Sequence, residues 1–136
     1  MAKGKGTRRP PRNSARSLRS ALVVVNAKAG TVRSRGPDAV KALVQEKLSP
    51  HYSPLDVVLA DGDVLPDVRK ARDGKTHDVI IAGGGDGTIT SVASELLESG
   101  VVMGVLPLGT MNFFVQALGF SPVLETALDQ LGASLE

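Results

Sequence analysis

The stretch Asp78-Val-Ile-Ile-Ala-Gly-Gly-Gly-Asp-Gly-Thr88 determines how the rest of the sequence is interpreted. Its first half is short, apolar and rich in β-branched residues, which predicts a buried strand. The segment after it carries apolar residues at helical spacing, namely Ile89, Val92, Ala93, Leu96 and Leu97, and Gly100 marks its predicted end. The stretch therefore predicts a strand, a glycine-rich loop over Gly83–Thr88 and an amphipathic helix, in that order.

The same alternation of strand and helix extends in both directions along the chain. Further strands are predicted over residues 21–25, 55–60 and 101–106, because these runs are apolar and rich in Val and Leu. Pro37 suits the first position of a helix, and other helices are predicted over residues 63–72, 112–118 and 123–131. Alternating strands and helices predict an α/β fold, a three-layer α/β/α domain with a mainly parallel sheet.

Length and composition set the broad class. The 136 residues suffice for one domain with its own core, and 42% are hydrophobic and 22% charged, which is typical of a globular protein. The chain has no cysteine, which excludes disulfides and thiolate chemistry and agrees with a cytoplasmic setting. No apolar run approaches the roughly 20 residues of a membrane span.

Charge is divided unevenly along the chain. Residues 1–20 hold seven of the 16 basic residues and no acid, so residues 21–136 keep nine basic against 14 acidic residues, a net charge of −5. We predict a disordered basic tail over 1–20 and a folded domain over 21–136. The tail is compatible with a solubilising leader, with peripheral contact with an anionic membrane, or with an organelle transit peptide. It lacks the aromatic residues that would indicate specific nucleic-acid binding.

Three polar, glycine-bearing loops follow predicted strands: Asn26–Gly30, Gly83–Thr88 and residues 107–112. The carboxyl ends of parallel strands share one edge of a sheet, where such folds bind ligands. Glycines bring backbone N–H groups close to an anion, and a helix N-terminus adds positive potential. The loops therefore predict a phosphate site. The carboxylate of Asp86 does not favour phosphate, and indicates metal, ribose or proton chemistry.

Simpler interpretations stand beside these. Asp86 or Asn112 would serve as a helix cap, and Asn26 as a turn residue. Phe113 favours core packing over base stacking, and His77 favours solvent exposure because it lacks ligand-like spacing.

Two motifs resemble those of the diacylglycerol kinase catalytic domain, whose fold is shared with sphingosine kinases and bacterial lipid kinases. Gly84-Gly85-Asp86-Gly87-Thr88 matches the family's GGDGT. Pro107-Leu-Gly-Thr-Met-Asn112, followed by Leu118-Gly119, matches its P-x-G-T-x-N and L-G pattern. Asn26-Ala-Lys-Ala-Gly30 is a weaker match to the family's N-P-x-x-G. The resemblance covers residues 21–136.

The resemblance implies an ATP-dependent lipid kinase that uses Mg²⁺ and transfers the γ-phosphoryl group to a lipid hydroxyl such as that of diacylglycerol. Asp86 would be the catalytic residue, because it would position the nucleotide, its metal or the acceptor hydroxyl. The implied ATP-binding residues are Asn26, Gly30, Gly84, Gly85, Gly87, Thr88, Gly109, Thr110 and Asn112. The metal ligands stay unknown at this stage. A lipid kinase implies a lipid substrate and a cytoplasmic or membrane-peripheral location.

The sequence departs from the family's pattern at two places. After its Asn the family has an acidic residue and, three residues after that acid, a basic one, whereas this chain has Phe113-Phe114-Val115-Gln116. In the first loop, Ala27 replaces the family's Pro. Family members continue into a second, β-rich domain that we expect to be absent from this chain, and the surface meant for it would favour a homo-oligomer. Two alternatives remain open: an NAD kinase-like enzyme, because NAD kinases share a similar GGDGT, and a non-catalytic nucleotide-binding or assembly module.

Overall fold

The computed structural model describes residues 18–109, 113–117, 119, 121 and 123–134. The strands are β1 Arg19–Asn26, β2 Tyr52–Ala60, β3 Val79–Gly84 and β4 Val102–Pro107. The helices are α1 Gly30–Arg35, α2 Pro37–Leu48, α3 Leu65–Gly74, α4 Asp86–Leu96, α5 Phe113–Ala117 and α6 Leu124–Ser134. Strands and helices alternate along the chain, so the predicted α/β fold is confirmed.

The four strands form a parallel sheet in the order β2-β1-β3-β4. Val23 of β1 lies opposite Val57 of β2 and Ile81 of β3, which fixes the register across the centre. The chain leaves β1 towards one edge of the sheet and leaves β3 towards the other. The carboxyl ends of β1 and β3 therefore border a topological switch point, where open α/β sheets bind their ligands.

The core has two halves, one on each face of the sheet. Ala21, Val23 and Val25 of β1 pack with α1, α2 and α6, whereas Leu22 and Val24 pack with α3 and α4. All five are buried. Burying a Val, Leu or Ile side chain contributes about 1.5–3 kcal/mol, so both layers of helices are held mainly by this apolar contact. The arrangement is the predicted three-layer domain.

The element boundaries differ from those predicted at several places. Strand β1 begins at Arg19, two residues before the predicted start of the domain, while the remainder of the predicted tail, residues 1–17, lies outside the described residues. Helix α2 begins at Pro37 as predicted. Helix α1 was not predicted. Helix α6 continues to Ser134, three residues beyond its predicted end.

Three side chains lie where the sequence did not predict them. Helix α4 ends at Leu96 rather than near Gly100, so the extended backbone of Leu97 turns its side chain outward, 73% exposed. Phe113 is 68% exposed instead of packed in the core. The side chain of His77 is only 12% exposed, and its Nε2 atom lies 2.8 Å from Oδ2 of Asp56. Within the described ranges, no helix is long and apolar enough to cross a membrane.

Candidate functional site

The junction between β3 and α4 is tighter than the six-residue loop that the sequence predicts. Strand β3 continues to Gly84, where it pairs with Pro107, and α4 begins at Asp86, so Gly85 alone connects them. Gly87 and Thr88 therefore belong to the first turn of α4. Asp86 is the first residue of the helix, and its cap is Gly85, so the interpretation of Asp86 as the helix cap is wrong.

Thr88 lies over the end of β3 and reaches the end of β1. A Cβ atom added at Gly84 would fall 2.7 Å from Cβ of Thr88, so only glycine fits beneath this helical turn. Nδ2 of Asn26 donates to Oγ1 of Thr88 at 3.2 Å, across 62 residues of sequence. Oδ1 of Asn26 accepts the backbone N–H of Lys28 at 2.9 Å. Asn26 is thus both a turn residue and a bridge across the switch point.

The loop after β4 joins the same edge through backbone contacts. The N–H of Leu108 donates to the carbonyl of Gly84 at 2.8 Å, and the carbonyl of Leu108 accepts the N–H of Thr31 at 2.9 Å. A Cβ atom at Gly85 would lie 3.4 Å from Cα of Gly109, so the second and third loops are in direct contact. The three predicted loops therefore meet at one edge of the sheet.

The structure describes seven of the nine predicted ATP-binding residues, together with Asp86, and five of the seven contact one another or the neighbouring loops. Asn26, Gly84, Gly85, Thr88 and Gly109 form the contacts described above. Gly30 is the first residue of α1, next to Thr31, and Gly87 is exposed on the first turn of α4. Asp86 is half-buried, and its Oδ1 atom is shielded from solvent. Thr110 and Asn112 lie outside the described residues.

A cleft of about 330 Å³ opens beside this edge, between the loop that precedes α3 and the first turns of α4. One wall is formed by Gly62, Asp63, Val64 and Leu65, and the other by Gly87, Thr88 and Ser91. Asp63 is held by its side chain, since Oδ1 accepts the N–H of Leu65 at 3.0 Å. Asp61 and Asp63 are spaced like metal ligands, but the sequence favours a solvated loop there. Sequence reasoning therefore missed the first wall, although Gly62 and Asp63 follow β2 at the same edge as the other loops.

Lys28 is a second residue that sequence reasoning missed. Its aliphatic carbons lie over Gly62, with Cδ 3.5 Å from the position of an added Cβ atom. Its ammonium group is 3.9 Å from Oδ1 of Asp61 and the side chain is 65% exposed, so the pair is loose and the charge accessible. Lys28 belongs to the first loop and places a cation where that loop approaches the cleft.

The carboxylates of the described ranges do not form a preformed metal cage. No group of three or more His, Cys, Asp or Glu side chains converges there. Asp86 and Asp63 are the acids next to the cleft and the α4 N-terminus. A cation that reaches the protein already bound to phosphate needs only one or two carboxylates, so these two acids would fit Mg²⁺ that arrives with a phosphorylated ligand.

Comparison with known proteins identifies the family of the chain. The family model of the diacylglycerol kinase catalytic domain matches residues 20–136. A "probable lipid kinase YegS-like" protein of Klebsiella pneumoniae is 35% identical over 111 residues, which cover 80% of this chain and 36% of the relative. A "probable lipid kinase YegS" of Escherichia fergusonii is 36% identical over 115 residues, which cover 82% of this chain and 37% of the relative.

The fold has a solved counterpart. The crystal structure of a diacylglycerol kinase from Bacillus anthracis superposes with a TM-score of 0.67 at 24% identity, covering 83% of this chain and 39% of that one. This likeness concerns the fold alone. The chain spans little more than a third of the length of the curated relatives that it matches.

Proposed function

The chain belongs to the diacylglycerol kinase catalytic domain family, and from this membership we propose that it is the ATP-binding part of a lipid kinase. The reaction would transfer the γ-phosphoryl group of ATP to a hydroxyl of a lipid such as diacylglycerol. The observation that supports it best is the meeting of three loops beside a cleft at the switch point of the sheet, with Asn26 bonded to Thr88 across it. The family match favours a lipid kinase over an NAD kinase.

The triphosphate would lie against the first turn of α4. Helix N-termini present unpaired N–H groups and a positive dipole end, and α4 has 11 residues and a glycine cap without a side chain. An added Cβ atom at Gly87 meets nothing within 4 Å in the described part of the chain, so no packing seen there explains a glycine at this position. The close approach of a ligand does.

Ribose and base would occupy the cleft of about 330 Å³, whose polar side chains are Asp63, Thr88 and Ser91. Asp63 can accept hydrogen bonds and Ser91 can donate or accept them, as recognition of ribose hydroxyls requires. Lys28 would neutralise phosphate charge as a mobile cation. The loop after β4 would border the nucleotide on the opposite side through Gly109, Thr110 and Asn112. For Thr110 and Asn112 this assignment depends on the P-x-G-T-x-N motif alone.

Asp86 would orient the phosphate-bound Mg²⁺ or the acceptor hydroxyl. Mg²⁺ would neutralise charge that develops on the phosphate oxygens. Positioning and charge neutralisation supply most of the catalysis in phosphoryl transfer, so the tight packing of Thr88 on Gly84 matters for keeping α4 in place.

The first test is calorimetric titration of Mg·ATP into the chain and its Gly87→Asp variant. The position is open and an acid in the first turn favours the helix, so the variant should fold normally. Its carboxylate would repel the triphosphate, and we expect binding to fall at least tenfold.

Ser94→Asp is the matched control. It adds the same charge on an exposed position of α4, seven residues or about 10 Å further along the axis. We expect its nucleotide affinity to stay within twofold of the parent. Equal losses in both variants, or no binding by the folded parent, would contradict a nucleotide site on this turn. Transfer from γ-labelled ATP to diacylglycerol would exclude a non-catalytic binding module.

A further inference from the structure

Glu95 joins the two helices beside the cleft: α3, whose first residue Leu65 ends one wall, and α4, which forms the other wall. It lies on α4, and its Oε1 atom accepts two hydrogen bonds from Arg69 of α3, from Nε at 3.0 Å and from Nη2 at 2.8 Å. Its Oε2 atom pairs with Nη1 of Arg72, also on α3. The same Nη1 atom donates to the backbone carbonyl of Glu95 at 3.0 Å. Glu95 therefore holds two arginines through three of their nitrogen atoms.

The cluster is more enclosed than a typical surface ion pair. The side chain of Glu95 is 19% exposed and that of Arg72 is 28% exposed. The hydrogen bonds from Arg69 are the largest cause of a lowered pKa of Glu95, and Arg72 lowers it further. The carboxylate is thus charged and multiply bonded at neutral pH. Such geometry restricts how the two helices move relative to each other.

The position of the cluster relative to the cleft is specific. Leu65 and Ser91 line opposite walls, and Arg69 and Glu95 each follow one of them by four residues. Four residues are about one helical turn, or about 6 Å along the axis. The cluster therefore lies about one turn beyond the cleft along both helices and links α3 to α4 there.

We propose that Glu95, with Arg69 and Arg72, is a positioning group that fixes the separation of the cleft walls and thereby the affinity for nucleotide. The inference deepens the proposed function and depends on it. Apolar packing on the sheet holds both helices, so we expect the cluster to act mainly on the spacing of α3 and α4. Without it, apolar packing on the sheet still holds both helices, through Val68 and Val92 among others, but their outer surfaces are free to separate.

The test compares Glu95→Gln with the parent by Mg·ATP calorimetry. Gln keeps the size of the side chain and removes the negative charge that pairs with the guanidinium groups of Arg69 and Arg72. We expect affinity to fall three- to tenfold while the melting temperature changes by no more than a few degrees. We also expect faster amide hydrogen exchange in residues 62–65 and 87–91, a readout that does not depend on activity.

Glu125→Gln is the matched control. Glu125 of α6 receives two hydrogen bonds from Arg35, at 2.8 and 3.0 Å, on the opposite face of the sheet. We expect this variant to keep the parent's affinity and its exchange at the cleft. If Glu95→Gln fails to fold, Arg69→Gln tests the same contact from α3, where half of the side chain is exposed.

The outcomes separate the two proposals. Unchanged affinity and exchange in folded Glu95→Gln, with a parent that binds Mg·ATP, would overturn the positioning role alone. An equal loss in Glu125→Gln would also overturn it, because the effect would then not be specific to the cleft. A folded parent that does not bind Mg·ATP would overturn the proposed function, and with it this inference.

Discussion

Thr88 carries two constraints at the residue scale. Below it, Gly84 leaves no room for a Cβ atom, and beside it Asn26 donates to its hydroxyl group. The first constraint concerns the fold and the second the alignment of the strand ends. A substitution at Gly84 therefore affects a packing contact that is present without any ligand.

Gly84→Ala should destabilise the domain. The added methyl group would lie 2.7 Å from Cβ of Thr88, which is attached to the helix backbone, so α4 must shift to relieve the contact. Overpacking of this kind costs about 1–3 kcal/mol. Urea unfolding followed by circular dichroism measures the loss.

Gly87→Ala is the control for this prediction. Its added Cβ atom meets nothing, and Ala is favoured over Gly within a helix by up to about 1 kcal/mol. We expect unchanged or slightly higher stability. Similar losses in the two variants would show that glycine is needed for the loop in general and not for the Gly84–Thr88 contact.

At the scale of elements, the strands could be predicted from their apolar, β-branched runs and most helices from the spacing of their apolar residues. The last residues of β3 and the first residue of α4 could not be predicted. Gly83 and Gly84 have a low strand propensity, yet they belong to β3 because Leu106 and Pro107 pair with them. That pairing joins segments more than 20 residues apart, and no local pattern contains it.

The missed parts of the site have the same cause. Helix α1 has six residues, too few for a periodic apolar face, and only Val32 is buried. The first wall of the cleft carries no motif and approaches α4 only because β2 and β3 both border β1 in the sheet. The glycine motifs could be located in advance, since parallel strands bring their carboxyl ends to one edge.

The contact between β2 and α6 provides a pH-dependent test at this scale. The hydroxyl group of Tyr52 donates to the carbonyl of Leu131 at 3.2 Å, and burial raises the pKa of Tyr52 to about 12. An exposed Tyr titrates near 10, so the folded-state pKa lies above the unfolded one. This contribution to stability is complete below about pH 10 and is lost as the pH rises towards 12.

Tyr52→Phe should remove the part of the loss of stability at alkaline pH that comes from ionisation of Tyr52. It should also lower stability by about 0.5–1.5 kcal/mol at pH 7, because the hydrogen bond to Leu131 is lost. Unfolding midpoints between pH 7 and 12 check both effects. Parallel pH curves for parent and variant would contradict the assignment of Tyr52 as a titrating group in this range.

At the scale of the whole molecule, the basic end of the chain and the candidate site lie at opposite edges of the sheet. The basic segment 1–17 precedes β1, whose eight residues span about 26 Å, so it joins the domain at the edge opposite the candidate site. Seventeen residues extend to at most about 60 Å. The segment is therefore long enough to act as a tether to a surface while the site edge stays accessible to that surface.

We propose that this segment holds the chain on anionic lipid, and removing it should abolish that contact. Residues 1–17 contain six basic residues and no acid, whereas residues 18–136 contain ten basic against 14 acidic residues. Each Lys or Arg near an anionic surface contributes about 1 kcal/mol, and a tenfold change in affinity corresponds to about 1.4 kcal/mol.

We expect the chain to sediment with phosphatidylserine vesicles at least tenfold more strongly than its 18–136 variant. High salt should remove the difference, because it screens exposed charges. Vesicles of phosphatidylcholine alone are the control, and we expect them to bind neither form. Equal binding of both forms to the anionic vesicles would show that the contact belongs to the folded domain, and equal binding of the full chain to neutral vesicles would show that charge does not carry it.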